Sequence, residues 1–203
     1  MRIAGVIAAA GASTRMGACK ALLPFSDNVV FVQRLAEVFT AAGLDPVVVT
    51  VPDAEPEASN IERHLTHLRV TTSENERPGD GLTGSVITGL LHAVDAEAII
   101  VVPVDCPFAD VSLVQSLLIG LSMGMAAVPL VEGRRGHPVA FSRPTFELLW
   151  SAAALGGPRG VLDALGADVI EVPWSDPRVC DDVDTPEDYQ RLFGRKLSLT
   201  PQP

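Results

Sequence analysis

The chain opens with the stretch IAGVIAAAGASTRMGACK, residues 3–20. It begins as an apolar run and changes at Gly11 into a loop of small residues that carries two cations, Arg15 and Lys20. Small residues after a buried strand let backbone N–H groups approach a ligand closely, and the two cations favour a ligand that is an anion. The stretch therefore predicts a strand followed by a phosphate-binding loop.

Four further apolar runs follow the first, with helical segments between them. Runs that are apolar on both faces are typical of parallel strands covered on two sides. The five runs cover residues 3–10, 46–51, 68–73, 98–104 and 125–131. Their alternation with helices predicts an α/β fold with one doubly wound, mainly parallel, Rossmann-like sheet, and residues 132–141 predict a small β-excursion on that sheet.

Length and charge limit the organisation and the partners of the chain. The 203 residues fit a single domain, predicted to span residues 1–195, and the polar, Pro-rich tail at 196–203 is expected to be frayed. Lys and Arg number 15 against 25 Asp and Glu, a net charge of −10, which argues against nucleic acid or an anionic membrane surface as a partner. No apolar stretch reaches the roughly 18 residues of a membrane span. The three widely spaced cysteines predict reduced thiols, and a cytoplasmic protein is expected.

The loop fits neither of the two commonest phosphate-binding motifs. A Walker A loop requires Gly-Lys where Met16 and Gly17 stand, and the dinucleotide fingerprint requires Gly in place of Ser13. The pattern that fits is A-A-G-x-S-x-R-M-G-x-x-K-x-L-L-P, residues 9–24, which resembles the opening motif of the MobA-like nucleotidyltransferases, the molybdenum-cofactor guanylyl- and cytidylyltransferases. Four later segments stand in the order of the cytidylyl branch: GLTGSVITGL (81–90), VPVDCP (102–107), RRGHPVAF (134–141) and DVDTPEDY (182–189).

This resemblance implies that the loop binds a nucleoside triphosphate and that Arg15, Lys20 and Asp105 are catalytic. Attack on the α-phosphorus with loss of pyrophosphate requires negative charge on three phosphates to be offset. The guanidinium fork of Arg15 suits the β- and γ-phosphates, and the compact charge of Lys20 suits the α-phosphate. The implied nucleotide-binding residues are Ala9, Ala10, Gly11, Ser13, Arg15, Lys20, Gly81, Gly84 and Ser85.

A magnesium site is expected at the carboxyl end of the run at 98–104. Asp105 directly follows that run, and Mg²⁺ shared with triphosphate oxygens takes one or two protein carboxylates. Asp182 and Asp184 are two apart, so in an extended segment their side chains are expected to point the same way. By resemblance, Asp184 is the first choice for the second carboxylate and Asp182 the second choice. Thr185 is expected to cap the helix that follows.

The acceptor side is expected around the loop GRRGHP, residues 133–138. The resemblance implies that Arg135, Gly136, His137 and Arg159 bind the acceptor, a pterin dithiolene with a terminal phosphate. His137 is expected to orient that phosphate, which needs no essential base because it is already ionised at neutral pH. One departure affects this side: GGPRGVL, residues 156–162, has no acid where the cytidylyl branch usually has one, so either Arg159 works alone or the acceptor differs.

The identity of the base depends on the first turn. Guanylyl relatives read more like L-A-G-G there, whereas residues 8–11 read A-A-A-G, which favours CTP. The sequence thus predicts Mg²⁺-dependent transfer of CMP from CTP to a molybdopterin-type phosphate, with a molybdoenzyme or its chaperone as a candidate transient partner. Two alternatives stay open: a transferase that uses GTP or another phosphorylated acceptor, and a non-catalytic protein for cofactor binding or delivery.

Overall fold

The computed structural model describes residues 2–197, so residues 198–203 of the tail predicted to be frayed lie outside the described residues. All five predicted strands are present, and β3 is shifted towards the C-terminal end of its run. The strands are β1 (Ile3–Ala8), β2 (Val47–Val51), β3 (Thr71–Glu74), β4 (Ala98–Pro103), β5 (Ala126–Val131), β6 (Arg134–Arg135), β7 (Val139–Ser142) and β8 (Val169–Pro173).

Helices connect these strands, and two of them begin at the caps that the sequence indicates. They are α1 (Phe31–Ala41), α2 (Glu57–Leu65), α3 (Leu82–His92), α4 (Val111–Leu121), α5 (Phe146–Trp150), α6 (Pro158–Leu165) and α7 (Pro186–Phe193). The Asp110 carboxylate accepts the N–H of Leu113 at 2.8 Å and caps α4. Thr185 and Asp188 form a reciprocal capping box that starts α7, as expected for Thr185.

The sheet is mainly parallel and doubly wound, which confirms the predicted fold class. Strands β3, β2, β1 and β4 lie side by side in that order and run parallel. Next comes β7, antiparallel to β4 and to β5, and β8 extends the sheet parallel to β5. The two-residue β6 pairs antiparallel with the end of β5. Strands β6 and β7 are therefore the β-excursion that residues 132–141 predict.

Apolar side chains cover both faces of the sheet. Neighbouring residues of one strand enter different buried clusters: Ile7 packs with α1 and α4, whereas Val6 packs with α3, α5 and α6. In β4, Ile100 likewise belongs to the cluster of Ile7, and Ile99 belongs to the cluster of Val6. Because successive side chains of a strand point to opposite faces, a strand between two helix layers must be apolar at every position. Between residues 2 and 197, no helix has the length and apolarity to cross a membrane.

The carboxyl ends of β1 and β4 place the chemistry-bearing loops at one edge of the sheet. β1 and β4 are neighbours with Ala8 opposite Pro103, so the loops that follow them start side by side. The N–H of Val183 donates to the carbonyl of Asp105 at 2.9 Å, and this bond brings the segment before α7 to the same edge. Ligands of open α/β sheets bind at such an edge.

Candidate active site

A cluster of two cations and two carboxylates occupies this edge. Nζ of Lys20 lies 2.8 Å from Oδ2 of Asp105 and also contacts Oδ1 of Asp184. Nη2 of Arg15 lies 2.9 Å from the other oxygen of Asp184. The Lys20 side chain is only 12% exposed, whereas that of Arg15 is 68% exposed. The fold thus joins all four residues, which come from three distant parts of the sequence.

Lys20 keeps its positive charge in this surrounding. Burial by itself lowers the pKa of a lysine, but the hydrogen bonds that Lys20 donates to Asp105 and Asp184 outweigh burial and raise the pKa of Lys20 above its ordinary value. The ammonium group is therefore a fixed positive charge at this edge of the sheet.

The two carboxylates that contact the Lys20 ammonium are also candidate ligands for a metal ion. Oxygens of Asp105 and Asp184 converge on that single cation. A hard divalent cation takes one or two carboxylates and completes its coordination with phosphate and water oxygens. Within residues 2–197 no group of three or more His, Cys, Asp and Glu side chains forms a ready-made metal site. Two carboxylates fit a cation that arrives with a triphosphate.

Asp182 has a different partner from Asp184, although the two are only two residues apart. Oδ1 of Asp182 accepts a hydrogen bond from the Cys106 thiol at 3.1 Å, and the same sulfur lies 3.8 Å from Oδ1 of Asp105. Burial, together with both carboxylates, raises the pKa of Cys106 well above its ordinary value, so the thiol stays protonated and can donate. Of the two candidates for the second carboxylate, Asp184 is the one that shares a cation with Asp105.

The phosphate loop and the start of α3 enclose a cavity of about 340 Å³, the nucleotide cavity. Six of the predicted nucleotide-binding residues line it: Ala10, Gly11, Ser13, Lys20, Gly81 and Ser85. Ala9 is buried in the core instead, because its side chain points to the opposite side of the chain from its neighbours. Gly84 lies beneath the loop at 75–77, where a Cβ would overlap the Arg77 carbonyl oxygen. Ala9 and Gly84 therefore pack behind this cavity and are not among the residues that line it.

Asn75 and Pro78 line this cavity although they lie outside every segment that the sequence pattern singles out. Asn75 directly follows β3, so the rule that carboxyl ends of parallel strands meet at one edge would have pointed to it. Pro78 carries no polar side-chain group, and nothing in the sequence pattern marks it.

A second cavity of about 610 Å³, the acceptor cavity, adjoins the first, and Leu82 lines both. Its floor is apolar because β4, β5 and β7 present one sheet face to it, with side chains Val101, Val128, Val139 and Phe141. Its polar lining includes all four predicted acceptor-binding residues: Arg135, Gly136, His137 and Arg159. Asp182 also lines this cavity, whereas Asp105 lines the nucleotide cavity. The Cys106 thiol thus links carboxylates of the two cavities.

The cations of the acceptor cavity differ in how far they are neutralised. Arg135 pairs with Glu171 at 2.9 Å, and Arg134 pairs with Asp181 at 2.8 Å. Arg159 forms no hydrogen bond or ion pair with any residue that the structure describes. Asp163, one helical turn after Arg159, also lines the cavity. The cavity lining therefore includes a carboxylate directly after residues 156–162.

His137 contributes a neutral imidazole to the acceptor cavity. Burial lowers the pKa of His137, and the negative charges of Asp182 and Asp105 oppose that effect only in part. Its Nδ1 atom is buried and has no hydrogen-bond partner among residues 2–197. A neutral imidazole has one donor and one acceptor, so His137 has unused hydrogen-bonding capacity beside the cavity.

Curated relatives of this chain include both nucleotidyltransferases and an oxidoreductase. A "Probable molybdenum cofactor guanylyltransferase" of Natronomonas pharaonis is 32% identical over 199 residues, which cover 94% of this chain and 96% of the relative. The nicotine blue oxidoreductase of Paenarthrobacter nicotinovorans is 31% identical over 202 residues, with the same coverage of each chain. The molybdenum cofactor cytidylyltransferase of Escherichia coli is 25% identical over 184 residues, which cover 91% of this chain and 92% of the relative.

Solved structures and a family model match the chain over most of its length. The crystal structure of Rv0371c from Mycobacterium tuberculosis H37Rv is 31% identical and superposes with a TM-score of 0.76, covering 96% of this chain and 98% of that one. A complex of Rv0371C with manganese is 26% identical, with a TM-score of 0.71 over 96% and 99%. The family model described as the MobA-like NTP transferase domain matches residues 5–169. The chain belongs to this family of MobA-like NTP transferases.

Proposed function

We propose that this chain transfers CMP from CTP to the terminal phosphate of a molybdopterin-type cofactor and releases pyrophosphate. The observation that carries the proposal is the cluster of Lys20, Asp105, Asp184 and Arg15. Lys20 and Asp105 of this cluster line the nucleotide cavity, which shares Leu82 with the acceptor cavity. Phosphoryl-group chemistry needs fixed cations for the phosphates and carboxylates for a metal, and this cluster contains both. The relatives named as molybdenum cofactor guanylyl- and cytidylyltransferases support the choice of acceptor.

The chain's own groups bind and orient the triphosphate in this proposal. The small residues of the loop at 10–13 let backbone N–H groups approach the phosphates, and the start of α3 adds N–H groups that no side chain caps. Arg15, being exposed, reaches the β- and γ-phosphates. Lys20, being buried, stays at the α-phosphate, where negative charge develops.

A divalent cation, Mg²⁺ in this proposal, polarises the phosphoryl oxygens when bound, and Asp105 and Asp184 would hold it. An acceptor phosphate oxygen forms the new bond to the α-phosphorus as the bond to the bridging oxygen of pyrophosphate breaks. The leaving pyrophosphate keeps that electron pair, and Arg15 offsets its charge. No general base is needed, because the attacking phosphate is already ionised.

The acceptor cavity suits a ring system that ends in a phosphate. Its apolar floor of four β-strand side chains can cover a planar heterocycle, and Arg159 supplies a positive charge that no described carboxylate neutralises. His137, neutral and with unused hydrogen-bonding capacity, would orient the acceptor. Gly136, which precedes His137, lines the same cavity with its backbone.

CTP is proposed as the donor because of Ala10. Its methyl group lines the nucleotide cavity at the position where guanylyl relatives have Gly, and it takes room beside the base. We also propose a catalytic domain at residues 1–195, a cytoplasmic location, and transient contact with a molybdoenzyme or its chaperone, as the sequence predicts.

A pyrophosphate-release assay with each of the four NTPs and molybdopterin as acceptor tests this proposal. We expect release that requires both molybdopterin and a divalent cation and that is fastest with CTP. Release with GTP at an equal rate would replace the cytidylyl assignment by a guanylyl one. Binding of nucleotide without release would favour the non-catalytic alternative.

Oxidoreduction is a second candidate because the relative of that class is as similar in sequence and coverage as the first-named transferase. The apolar floor of the acceptor cavity suits a planar dye as well as a pterin. Hydride transfer, however, has no use for two carboxylates that converge on one cation. Oxidation of reduced nicotinamide cofactor by a quinonoid dye, with no pyrophosphate released from any NTP, would favour this candidate.

A further inference from the structure

One buried amide in the nucleotide cavity has no role in the phosphate chemistry. Asn75 is only 5% exposed, and it lines the cavity beside Pro78, Gly81 and Ser85. Its backbone N–H donates to the carbonyl of Val51 at 3.0 Å, which fixes the residue at the carboxyl edge of the sheet. Buried polar side chains nearly always have their hydrogen bonds satisfied, so an unsatisfied one indicates a missing partner.

Only the oxygen of the Asn75 amide has a partner. Oδ1 accepts the backbone N–H of Arg77 at 3.0 Å, which identifies the oxygen end of the group. Nδ2 donates to no residue in the described part of the chain and is not among its fully buried atoms, so it faces the cavity. Gly84 leaves room for this orientation, because a Cβ at that position would lie 2.8 Å from Oδ1 of Asn75.

Because Nδ2 of Asn75 is only a hydrogen-bond donor, it can bind only a ligand atom that accepts a hydrogen bond. Cytosine has an acceptor at N3, whereas uracil has an N–H donor at N3 and guanine has one at N1. We propose that Nδ2 of Asn75 donates to N3 of the cytosine base and thereby selects CTP over UTP, an inference that rests on the proposed function. Uracil in the same position would set one N–H against another and leave both donors unpaired, which is the strongest form of discrimination open to a polar site.

This selection is independent of the size of the base. Ala10 is proposed to exclude purines by volume, but it cannot distinguish two pyrimidines of nearly equal shape. The neutral amide of Asn75 can, because the two pyrimidines differ at N3 in the direction of the hydrogen bond. The site would then exclude GTP sterically through Ala10 and disfavour UTP through the hydrogen-bond donor of Asn75.

Asn75→Asp tests the proposal with little change in shape. A carboxylate still accepts the N–H of Arg77, but it offers uracil an acceptor in place of the donor that cytosine needs. We expect the ratio of kcat/KM for CTP to that for UTP to fall at least about 10-fold, with the acceptor KM unchanged. The added negative charge affects both triphosphates equally and cancels in the ratio. Asn60→Asp, in α2 and outside both cavities, is the matched control and should leave the ratio unchanged.

A modified nucleotide tests the same contact on the unaltered chain. 3-Deazacytidine triphosphate lacks the N3 acceptor, and calorimetry without acceptor should show it binding at least about 10-fold more weakly than CTP. Equal binding, or an unchanged CTP-to-UTP ratio in a folded Asn75→Asp variant, would overturn the role of Asn75 while leaving nucleotidyl transfer intact. If the wild-type chain neither binds nor turns over any nucleotide, the proposed function is overturned, and this inference with it.

Discussion

Nζ of Lys20 lies 2.8 Å from Oδ2 of Asp105, so the cation proposed for the α-phosphate is paired with a carboxylate proposed for the metal. The same ammonium contacts Asp184, and Arg15 pairs with the other oxygen of Asp184 at 2.9 Å. In the proposed reaction these groups exchange partners: Lys20 and Arg15 turn to phosphate oxygens, and the two carboxylates become available to a divalent cation. Nucleotide and metal are therefore expected to bind together more tightly than either alone.

Lys20→Met tests this exchange of partners. Removing the ammonium leaves two adjacent carboxylates without their shared counter-ion, so the affinity for Mn²⁺ in the absence of nucleotide should rise at least about 10-fold. A titration followed by electron paramagnetic resonance measures it, and Arg63→Met, at the end of α2, is the control for a lost positive charge. Unchanged Mn²⁺ affinity would show that Lys20 does not compete with the metal.

The same variant should also lower kcat more than it raises the KM for nucleotide, because charge on the α-phosphate is greatest in the transition state. Steady-state kinetics with saturating acceptor separate the two effects. A change confined to KM would place Lys20 in ground-state binding only.

Asp105→Asn removes one carboxylate charge while keeping the size of the side chain. We expect kcat to fall about 100-fold or more, since a charge that holds the metal is lost, and we expect thermal stability to stay close to that of the wild type. Activity that recovers fully at saturating Mg²⁺ would contradict the assignment of Asp105 as a metal ligand.

Much of the fold followed from the sequence because strands such as β1 and β4 are buried on both faces and must be apolar throughout. The change from strand to loop after β1 followed from the end of the apolar run and from the small residues that come next. The orientation of side chains did not follow: Asp182 and Asp184 are two residues apart and were expected to point the same way, but they contact different groups. Asn75 and Asp163 were missed because the residues that line a cavity depend on which loops the fold brings together.

Gly84→Ala should weaken nucleotide binding without any direct contact with the ligand. The added methyl group would overlap the Arg77 carbonyl oxygen and displace the loop that holds Asn75. We expect the KM for CTP to rise at least about 10-fold and the free energy of unfolding to fall by about 1–3 kcal/mol. Chemical denaturation and kinetics measure both. An unchanged KM would show that the loop's position does not affect the nucleotide.

His137→Gln should change how stability depends on pH. The unfolded chain binds a proton at this histidine near pH 6.5, whereas burial lowers the pKa of His137 in the fold. Between the two pKa values the unfolded state therefore binds more protons than the folded state. The contribution of His137 to the free energy of unfolding is fully present above about pH 6.5 and decreases as the pH falls below that value. Without the imidazole, the free energy of unfolding should fall less steeply on acidification. His92→Gln, at the exposed end of α3, is the control; equal slopes in the wild type and His137→Gln would contradict the buried neutral state.

Ala10→Gly should relax the preference for CTP over GTP, because it removes the methyl group that narrows the nucleotide cavity. We expect the wild type to prefer CTP by at least about 10-fold in kcat/KM and the variant to prefer it less. Both nucleotides are measured with the same acceptor. A preference that Ala10→Gly leaves unchanged would show that another residue excludes the purine.

Transfer of label from CTP to the acceptor tests whether this site catalyses nucleotidyl transfer. CTP labelled at the α-phosphate is incubated with molybdopterin, Mg²⁺ and the wild-type chain, with Asp105→Asn in parallel, and the acceptor is then isolated. We predict that the wild type places label on the acceptor in equal amount to the pyrophosphate released, and that Asp105→Asn places almost none. An acceptor that stays unlabelled with every α-labelled NTP would contradict the assignment of this site to nucleotidyl transfer.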